Sequence, residues 1–193
     1  MGKLVVWNVI SVDGYFEGDQ RWDLRLHEHI WGEDLRQLSL RIGQEAGLLV
    51  FGRTTYEGMA SHWSTDTTES EIAQYMNAIP KLVASRTLTD PQWNNTEATS
   101  DPIGDLQRRK RLDDRPIYVF GSANLVDSLL AADLVDELLL GVAPVVLGSG
   151  TPHFKHGAAK RPLSLIESRP LDTGGVLLRY RVSHVPAASA SDQ

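Results

Sequence analysis

The chain has 193 residues, of which 41% are hydrophobic and 23% charged, as in an ordinary globular protein large enough to bury one substantial core. Its formal net charge of −6 argues against nucleic acid or an anionic membrane as a partner, because the electrostatic contribution to binding would be unfavourable. The absence of cysteine excludes disulfides, thiolate metal sites and thiol nucleophiles. The N-terminus has no signal-peptide pattern and no apolar run reaches membrane-spanning length, so we expect a cytoplasmic protein.

Apolar runs and one helical stripe predict the first elements of the chain. Residues 3–10 form a β-rich apolar run, whereas residues 15–25 show no clear period and are predicted as a loop. From residue 28 to residue 46, apolar side chains recur every three or four positions, which predicts a helix. Residues 48–51 then form a buried strand that ends at Gly52.

The middle of the chain alternates in the same way. Residues 53–59 are predicted as a short helical turn, and Thr68-Glu69-Ser70-Glu71 has the spacing of a capping box at the start of another helix. Residues 81–84 form a third short strand. Asp101-Pro102 opens a further helix. Its basic end, residues 108–111, complements the helix dipole; the alternative function is a phosphate patch.

A strand, a small-residue turn, a helix and a second strand follow in the next segment. Residues 117–120 are an apolar β-branched run that ends at the Gly121-Ser122 turn, where Ser122 can cap a helix. Residues 138–146 form the second strand. A turn of this kind leaves backbone N–H groups unpaired at a helix N-terminus, where a pyrophosphate would bind. The alternative is a close strand-to-helix turn without a ligand, and the local pattern leaves both open.

The chain ends in two neighbouring apolar runs, residues 163–169 and 176–182, which predict an antiparallel hairpin. The order of elements predicts an α/β fold with a mostly parallel central sheet, an antiparallel C-terminal hairpin and helices on both faces. We expect one domain over residues 1–183 and a disordered tail over residues 184–193.

Six short segments occur in one order between residues 3 and 183 and together carry a resemblance. They are SVDGY at 11–15, GRTTYE at 52–57, SRTL at 85–88, VFGSANL at 119–125, LVDEL at 134–138 and APVVLG at 143–148. In this order they resemble the dihydrofolate reductase-like family, in particular the reductase domain of the riboflavin-biosynthesis deaminase-reductase. The resemblance implies a three-layer dihydrofolate reductase-like fold with NADPH as hydride donor. We expect no zinc deaminase half of the bifunctional enzyme in these 193 residues, since its cysteines are missing.

The resemblance also implies a set of cofactor-binding residues in the turns that follow the strands. Arg53 and Arg86 each stand beside a hydroxyl, which suits the 2′-phosphate of NADPH, although a surface salt bridge is the alternative for both. Serine stands at position 122, where the family usually has a second glycine. The expected cofactor residues are Gly52, Arg53, Thr54, Thr55, Ser85, Arg86, Gly121, Ser122, Ala123, Asn124 and Leu125.

Two residues are candidates for catalysis. Asp13 is expected to touch substrate or cofactor, or else to bond backbone N–H groups in its turn. Tyr56 lines the pocket or supplies a proton, or else packs under its helix. The expected substrate pocket consists of Asn8, Trp22, Trp31, Phe51 and Phe154. No metal site is expected, because His27 and His29 are spaced i,i+2 and do not face each other on a helix.

The leading hypothesis is therefore an NADPH-dependent reductase that transfers a hydride to a small heteroaromatic substrate, pterin-, pyrimidine- or flavin-like. Reduction of a ribosylaminopyrimidine in the riboflavin pathway and folate reduction are alternatives. Folate is disfavoured, because Glu28, Glu33 and Asp34 all miss the position where dihydrofolate reductases carry their pterin-binding acid. A non-catalytic nucleotide-binding module is the alternative of another class. The resemblance implies a homodimer, for which the apolar runs 163–166 and 176–178 are the expected interface.

Overall fold

The computed structural model describes residues 1–65, 70–158 and 160–184. The strands are β1 (Leu4–Ser11), β2 (Tyr15–Glu17), β3 (Leu48–Gly52), β4 (Lys81–Ala84), β5 (Thr96–Thr99), β6 (Ile117–Val119), β7 (Glu137–Ala143), β8 (Thr151–Pro152), β9 (Leu163–Pro170) and β10 (Val176–Val182). The α-helices are α1 (Glu33–Glu45), α2 (Arg53–Trp63), α3 (Ser70–Ala78), α4 (Pro102–Leu112) and α5 (Ala123–Ala131). A 3-10 helix spans Arg25–His29.

Eight of these strands form one sheet in the order β5-β4-β3-β6-β1-β7-β10-β9. The first six in this order are mutually parallel, and β10 pairs antiparallel with both β7 and β9. The predicted parallel sheet with an antiparallel C-terminal hairpin is therefore confirmed. β2 and β8 form a separate two-stranded ribbon beside the sheet.

Strand β1 runs through the middle of the molecule and shows why the fold has three layers. Its eight residues are all buried, and its side chains alternate between two hydrophobic clusters. Trp7 packs in the cluster that contains the apolar faces of α1, α2 and α3. Val6 packs in the opposite cluster, with α4 and α5. A strand covered by helices on both sides has no solvent face, which explains why six of its eight residues are apolar.

The helix predicted over residues 28–46 is shorter in the structure. It begins only at Glu33, so Trp31 lies before it and is 40% exposed. Gly32 precedes the helix in extended conformation, where the C-terminal hairpin approaches closely. A Cβ at Gly32 would lie 2.6 Å from Cγ2 of Thr173. The apolar spacing continues toward the N-terminus across this boundary. The close approach of the hairpin at Gly32 leaves no room for the helix to begin earlier.

Other predicted elements differ in length. The turn after Gly52 is a full helix to Trp63, and the second strand of the segment ends at Ala143 rather than at residue 146. The predicted loop over residues 15–25 contains β2, and β5 was not predicted. Ser122 stands at the N-cap of α5, but its side chain makes no capping hydrogen bond. The capping box at 68–71 lies largely outside the described residues.

Strand β4 begins with a buried lysine that organises the loop before β5. The Lys81 ammonium donates to the carbonyl oxygens of Ile79 at 2.8 Å and Asn94 at 2.9 Å, and lies 4.7 Å from the centre of a Trp93 ring. Burial lowers the pKa of Lys81 to about 8. Backbone carbonyls therefore stabilise this charge where the structure provides no carboxylate for it among the described residues.

Candidate functional site

The turns predicted to hold a cofactor lie along one edge of the sheet. Strands β4, β3, β6 and β1 are adjacent and parallel, so the residues that follow them leave the same carboxyl edge. The segments brought to this edge are Ser11–Gly14 after β1, Gly52–Thr55 after β3, Ser85–Arg86 after β4 and Gly121–Asn124 after β6.

Two helix N-termini face each other across a narrow groove at this edge. We call it the helix-end groove, and its volume is about 150 Å³. Helix α2 contributes Thr54 and Thr55. Neither N-cap residue, Gly52 of α2 or Ser122 of α5, makes a side-chain capping bond. The groove is lined by Phe16, Glu17, Arg21, Trp22, Thr54, Thr55, Ser122, Ala123, Asn124 and Thr151.

The two turns touch, and glycine makes this contact possible. A Cβ on Gly52 would lie 2.7 Å from Oγ of Ser122. Gly121 has a φ of +81°, and a Cβ there would lie 2.8 Å from the ring of Phe16. The backbone therefore comes close to the groove with uncapped N–H groups at both helix ends. This arrangement fits a pyrophosphate, which would accept hydrogen bonds from those groups and interact favourably with both helix dipoles.

Of the predicted 2′-phosphate residues, Arg53 already has partners. Its Nε donates to Oε1 of Glu57 at 2.7 Å, and its guanidinium also bonds the Thr87 hydroxyl. The second bond ties the start of α2 to the turn after β4, where the Ser85 hydroxyl accepts from the N–H of Leu88 at 3.0 Å. Arg86, in that turn, is exposed and makes no ion pair with a described residue. The two arginines therefore differ in how freely a phosphate can engage them.

Arg21 is a basic residue of the groove that the sequence analysis missed. Its guanidinium donates to the Thr54 hydroxyl at 2.7 Å and to Glu57 at 3.3 Å. The neighbouring Trp22 has a positive φ of 66° and packs directly over Gly58 of α2, where a Cβ would overlap the indole. The sequence predicts a loop here, and no local pattern marks its contact with α2.

Asp13 joins the turn after β1 to the segment after β7. Its carboxylate accepts from the backbone N–H groups of Gly148 at 2.8 Å and Leu147 at 3.1 Å. These bonds, together with a larger contribution from the Ser11 side chain, lower the pKa of Asp13 to about 2. Asp13 is therefore an ionised carboxylate at neutral pH that organises the loop edge.

Three other predicted site residues lie away from the groove. Tyr56 is buried, and its hydroxyl accepts from the N–H of Trp93 at 2.8 Å. Phe51 is fully buried and packs 5.7 Å from the rings of Trp93 and Phe120. Phe154 is 45% exposed and lies edge-on to His153. None of these three lines the cavity described next.

An aromatic cavity of about 120 Å³ adjoins the helix-end groove, and Phe16, Trp22 and Thr55 line both. It lies between β1 and the helices α1, α2 and α3. The structure brings the predicted residues Asn8, Trp22 and Trp31 together here. Trp7, an aromatic residue expected near the pocket, also lines it. The sequence analysis did not place the other ring-bearing side chains of the lining, which are Phe16, His27, Trp63, Tyr75 and Phe120.

No Asp, Glu, Lys or Arg in the described part of the chain lines the aromatic cavity. Asp34, an acid at the start of α1, bonds the hairpin instead. It pairs with Arg169 at 2.7 Å and accepts from the N–H of Asp172 at 2.8 Å. These bonds lower its pKa. The cavity thus offers aromatic surface and neutral polar groups.

One buried and one half-buried histidine should make the stability of the protein depend on pH. Burial lowers the pKa of His153 and of His27 to about 4, and His153 is 1% exposed with neither ring nitrogen hydrogen-bonded. A lowered pKa means that the unfolded chain binds more protons between pH 6.5 and pH 4. The free energy of unfolding is therefore not reduced by these histidines above pH 6.5, and it decreases as the pH falls through this window.

Replacing His153 with Phe should remove the part of the pH dependence that this histidine causes. That part is a loss of up to about 3 kcal/mol in the free energy of unfolding between pH 6.5 and pH 4. Phenylalanine keeps the aromatic packing against Phe16 and Phe154. Urea unfolding across that pH range measures the effect. His156→Gln is the matched control, because His156 is exposed. An unchanged pH profile in His153→Phe would show that this histidine does not carry the effect.

Solved structures share this fold over almost the whole chain. A Shewanella sp. PV-4 protein, provisionally described as a riboflavin biosynthesis protein, is 22% identical with a TM-score of 0.72, covering 94% of this chain and 99% of that one. Acinetobacter baumannii RibD is 16% identical with a TM-score of 0.67, covering 95% of this chain and 59% of RibD. Enterococcus faecalis dihydrofolate reductase complexed with NADP(H) is 12% identical with a TM-score of 0.60, covering 94% and 96%. The expected dihydrofolate reductase-like α/β fold is thus confirmed.

Residues 3–177 match the model of the family described as the RibD C-terminal domain, and the chain belongs to this family. The uncharacterized protein YyaP of Bacillus subtilis (strain 168) is 22% identical over 184 residues, covering 92% of this chain and 94% of YyaP. The family expected from the six sequence motifs is therefore confirmed. Among the described residues, no helix is long and apolar enough to cross a membrane.

Proposed function

We propose that the protein is an NADPH-dependent reductase of a small heteroaromatic substrate. The observation that carries the proposal is the junction of two sites at one sheet edge. A groove between two uncapped helix N-termini is suited to a pyrophosphate, and an adjoining aromatic cavity is suited to a planar ring. The family match and the likeness to a dihydrofolate reductase complexed with NADP(H) support the same assignment.

In this proposal the chain supplies position and charge, and NADPH, when bound, supplies the hydride. The N–H groups that open α2 and α5 bind the pyrophosphate. Arg86 and Ser85, with Arg53 beside them, bind the 2′-phosphate. The aromatic cavity holds the substrate ring and excludes water from it. Asp13 holds the loops that border the groove, and Tyr56 supports α2 from the core; a direct catalytic role for either stays a prediction.

Calorimetric titration with NADPH and NADH tests cofactor binding, and the expected result is at least tenfold tighter binding of NADPH. Loss of reduced-nicotinamide absorbance with a panel of pterins, pyrimidines, flavins and quinones then tests turnover. No heat with either cofactor, under conditions where the protein is folded, would refute the proposal. Cofactor binding without turnover across the panel would instead favour the nucleotide-binding module. The family match keeps ribosylaminopyrimidine reduction within the panel.

We further propose that two copies associate through β9. This strand ends the described sheet, and its apolar residues Leu163, Leu165 and Ile166 are 41%, 58% and 44% exposed. An apolar edge strand of this kind readily pairs with another strand, and a second copy supplies one by symmetry.

Replacing Leu165 with Glu should therefore convert a dimer to a monomer at micromolar concentration, because it places a charge within the paired apolar strand. Analytical ultracentrifugation measures the mass in solution. Leu112→Glu is the control, since Leu112 is 84% exposed at the end of α4. A monomeric wild-type protein, or a Leu165→Glu dimer, would contradict this interface.

A further inference from the structure

The helix-end groove has a single acidic side chain among the described residues that line it. Glu17 ends strand β2 and lines the groove together with Thr151 and Trp22. Its Oε1 accepts from the Thr151 hydroxyl at 2.9 Å, and its Oε2 accepts from the backbone N–H of Trp22 at 3.1 Å. Both partners belong to the wall of the groove, so these two bonds hold the carboxylate at that wall.

The Glu17 carboxylate has hydrogen-bonding capacity left and no counter-charge. It makes no ion pair with a described residue, because Arg21, the arginine of the groove, bonds Thr54 and Glu57 instead. Two carboxylate oxygens offer about four acceptor sites, of which the protein uses two here. A pyrophosphate at this point would be repelled and would donate nothing to the two remaining sites. Glu17 therefore suits a neighbouring part of the ligand, one that carries hydrogen-bond donors.

The order of the strands shows which part of the ligand that is. Along the sheet the order is β4-β3-β6-β1, so the turn with Arg86 lies on one side of the two helix ends and the ribbon after β1 lies on the other. Phe16 and Trp22, on the ribbon side, line both the groove and the aromatic cavity. With the 2′-phosphate of NADPH at Arg86, the ligand continues past the pyrophosphate toward Glu17. The next group along it is the second ribose, which has two adjacent hydroxyls.

We infer that Glu17 binds the ribose on the nicotinamide side of the cofactor, its carboxylate accepting hydrogen bonds from the 2′- and 3′-hydroxyls. The inference rests on the proposed function, because it takes NADPH as the ligand of the helix-end groove. Two free acceptor sites match two adjacent donors, and a ribose held at the ribbon directs the nicotinamide toward the aromatic cavity. Glu17 is thus a cofactor-positioning residue that the turn motifs did not indicate.

The test titrates the protein by calorimetry with NADPH and with adenosine 2′,5′-bisphosphate, which keeps the 2′-phosphate but lacks the second ribose. Glu17→Gln keeps the size of the side chain and should weaken NADPH about tenfold, because charge-assisted hydrogen bonds become neutral ones. Binding of the bisphosphate should stay within about twofold. Arg86→Ala should instead weaken both ligands, since both carry the 2′-phosphate. Glu97→Gln, at an exposed acid on β5, is the matched control and should change neither affinity.

A second variant acts through the support of the carboxylate. Thr151→Val keeps the charge of Glu17 but removes the hydroxyl that holds its Oε1, so NADPH should bind about threefold more weakly and the bisphosphate as in the wild type. Melting temperatures show whether each variant is folded.

Several results would overturn the role of Glu17. Tighter NADPH binding in Glu17→Gln would show that the carboxylate only repels the cofactor, and unchanged binding would show that it does not contact it. Equal losses for both ligands would assign Glu17 to the folding of the ribbon. NADPH binding that requires added Mg²⁺ would place a cation, and not a ribose, at the carboxylate. A wild-type protein that binds neither ligand would refute the proposed NADPH site itself, whereas the other results leave that site standing.

Discussion

Replacing Arg86 with Ala should weaken NADPH binding about 10- to 100-fold and leave NADH binding within about twofold. The 2′-phosphate is the only difference between the two cofactors, and a charge-assisted hydrogen bond to it contributes about 1.5–3 kcal/mol. Arg86 is exposed and has no ion pair among the described residues, so its removal should not disturb the fold. Calorimetric titration of wild type and variant with each cofactor gives the ratio of dissociation constants for NADPH and for NADH.

Two comparisons make the Arg86 result specific. Arg53→Ala should have a smaller effect on NADPH, because Glu57 already neutralises part of the Arg53 charge. Arg111→Ala removes an exposed arginine at the end of α4 and should change neither affinity, since that helix ends at the opposite edge of the sheet. Equal losses of NADPH and NADH in Arg86→Ala would contradict its assignment to the 2′-phosphate.

Replacing Asn124 with Asp should weaken both cofactors about 10- to 100-fold while slightly stabilising the folded protein. Asn124 is exposed in the first turn of α5 and lines the helix-end groove. A carboxylate there interacts favourably with the helix dipole, by about 0.3–1 kcal/mol. The same charge repels a pyrophosphate a few ångströms away by about 1–3 kcal/mol at the effective dielectric constant of a protein surface.

The opposite signs of these two effects separate binding from folding. Thermal unfolding should show an unchanged or raised melting temperature, and calorimetry should show equal losses for NADPH and NADH. Gln107→Glu adds the same charge on α4 and serves as the control, with both affinities unchanged. Wild-type affinities in Asn124→Asp would exclude the N-terminus of α5 as the pyrophosphate site.

The parallel core of the fold was predictable because its signal is local and strong. Strands such as β3 and β6 are buried on both faces, so burial alone selects their apolar residues and glycine or proline marks their ends. The turn motifs could be assigned to one sheet edge because the strands before them are parallel, so every turn that follows such a strand emerges at the same edge. β5 was missed because its sequence, Thr96–Thr99, lacks an apolar run at the sheet edge.

The aromatic cavity could not be read from the sequence, because long-range packing decides which rings face it. Phe51 and Phe120 are both aromatic residues near a turn, yet Phe51 is core and Phe120 lines the cavity. Trp22 lines the cavity where its indole packs against Gly58, which is 36 residues away in the sequence. For Asn8 the sequence predicted a pocket residue, but it could not predict that the Nδ2 atom of this side chain is buried without a hydrogen-bond partner among the described residues.

The central position of β1 also constrains how the chain is made. This strand is synthesised more than a hundred residues before its two neighbours in the sheet, β6 and β7. A nascent polypeptide thus carries a mostly apolar segment that has no native neighbour to pair with until β6 has been synthesised. Such non-local pairing folds slowly and exposes the unfinished chain to aggregation, so protection by chaperones matters most before residue 143 emerges.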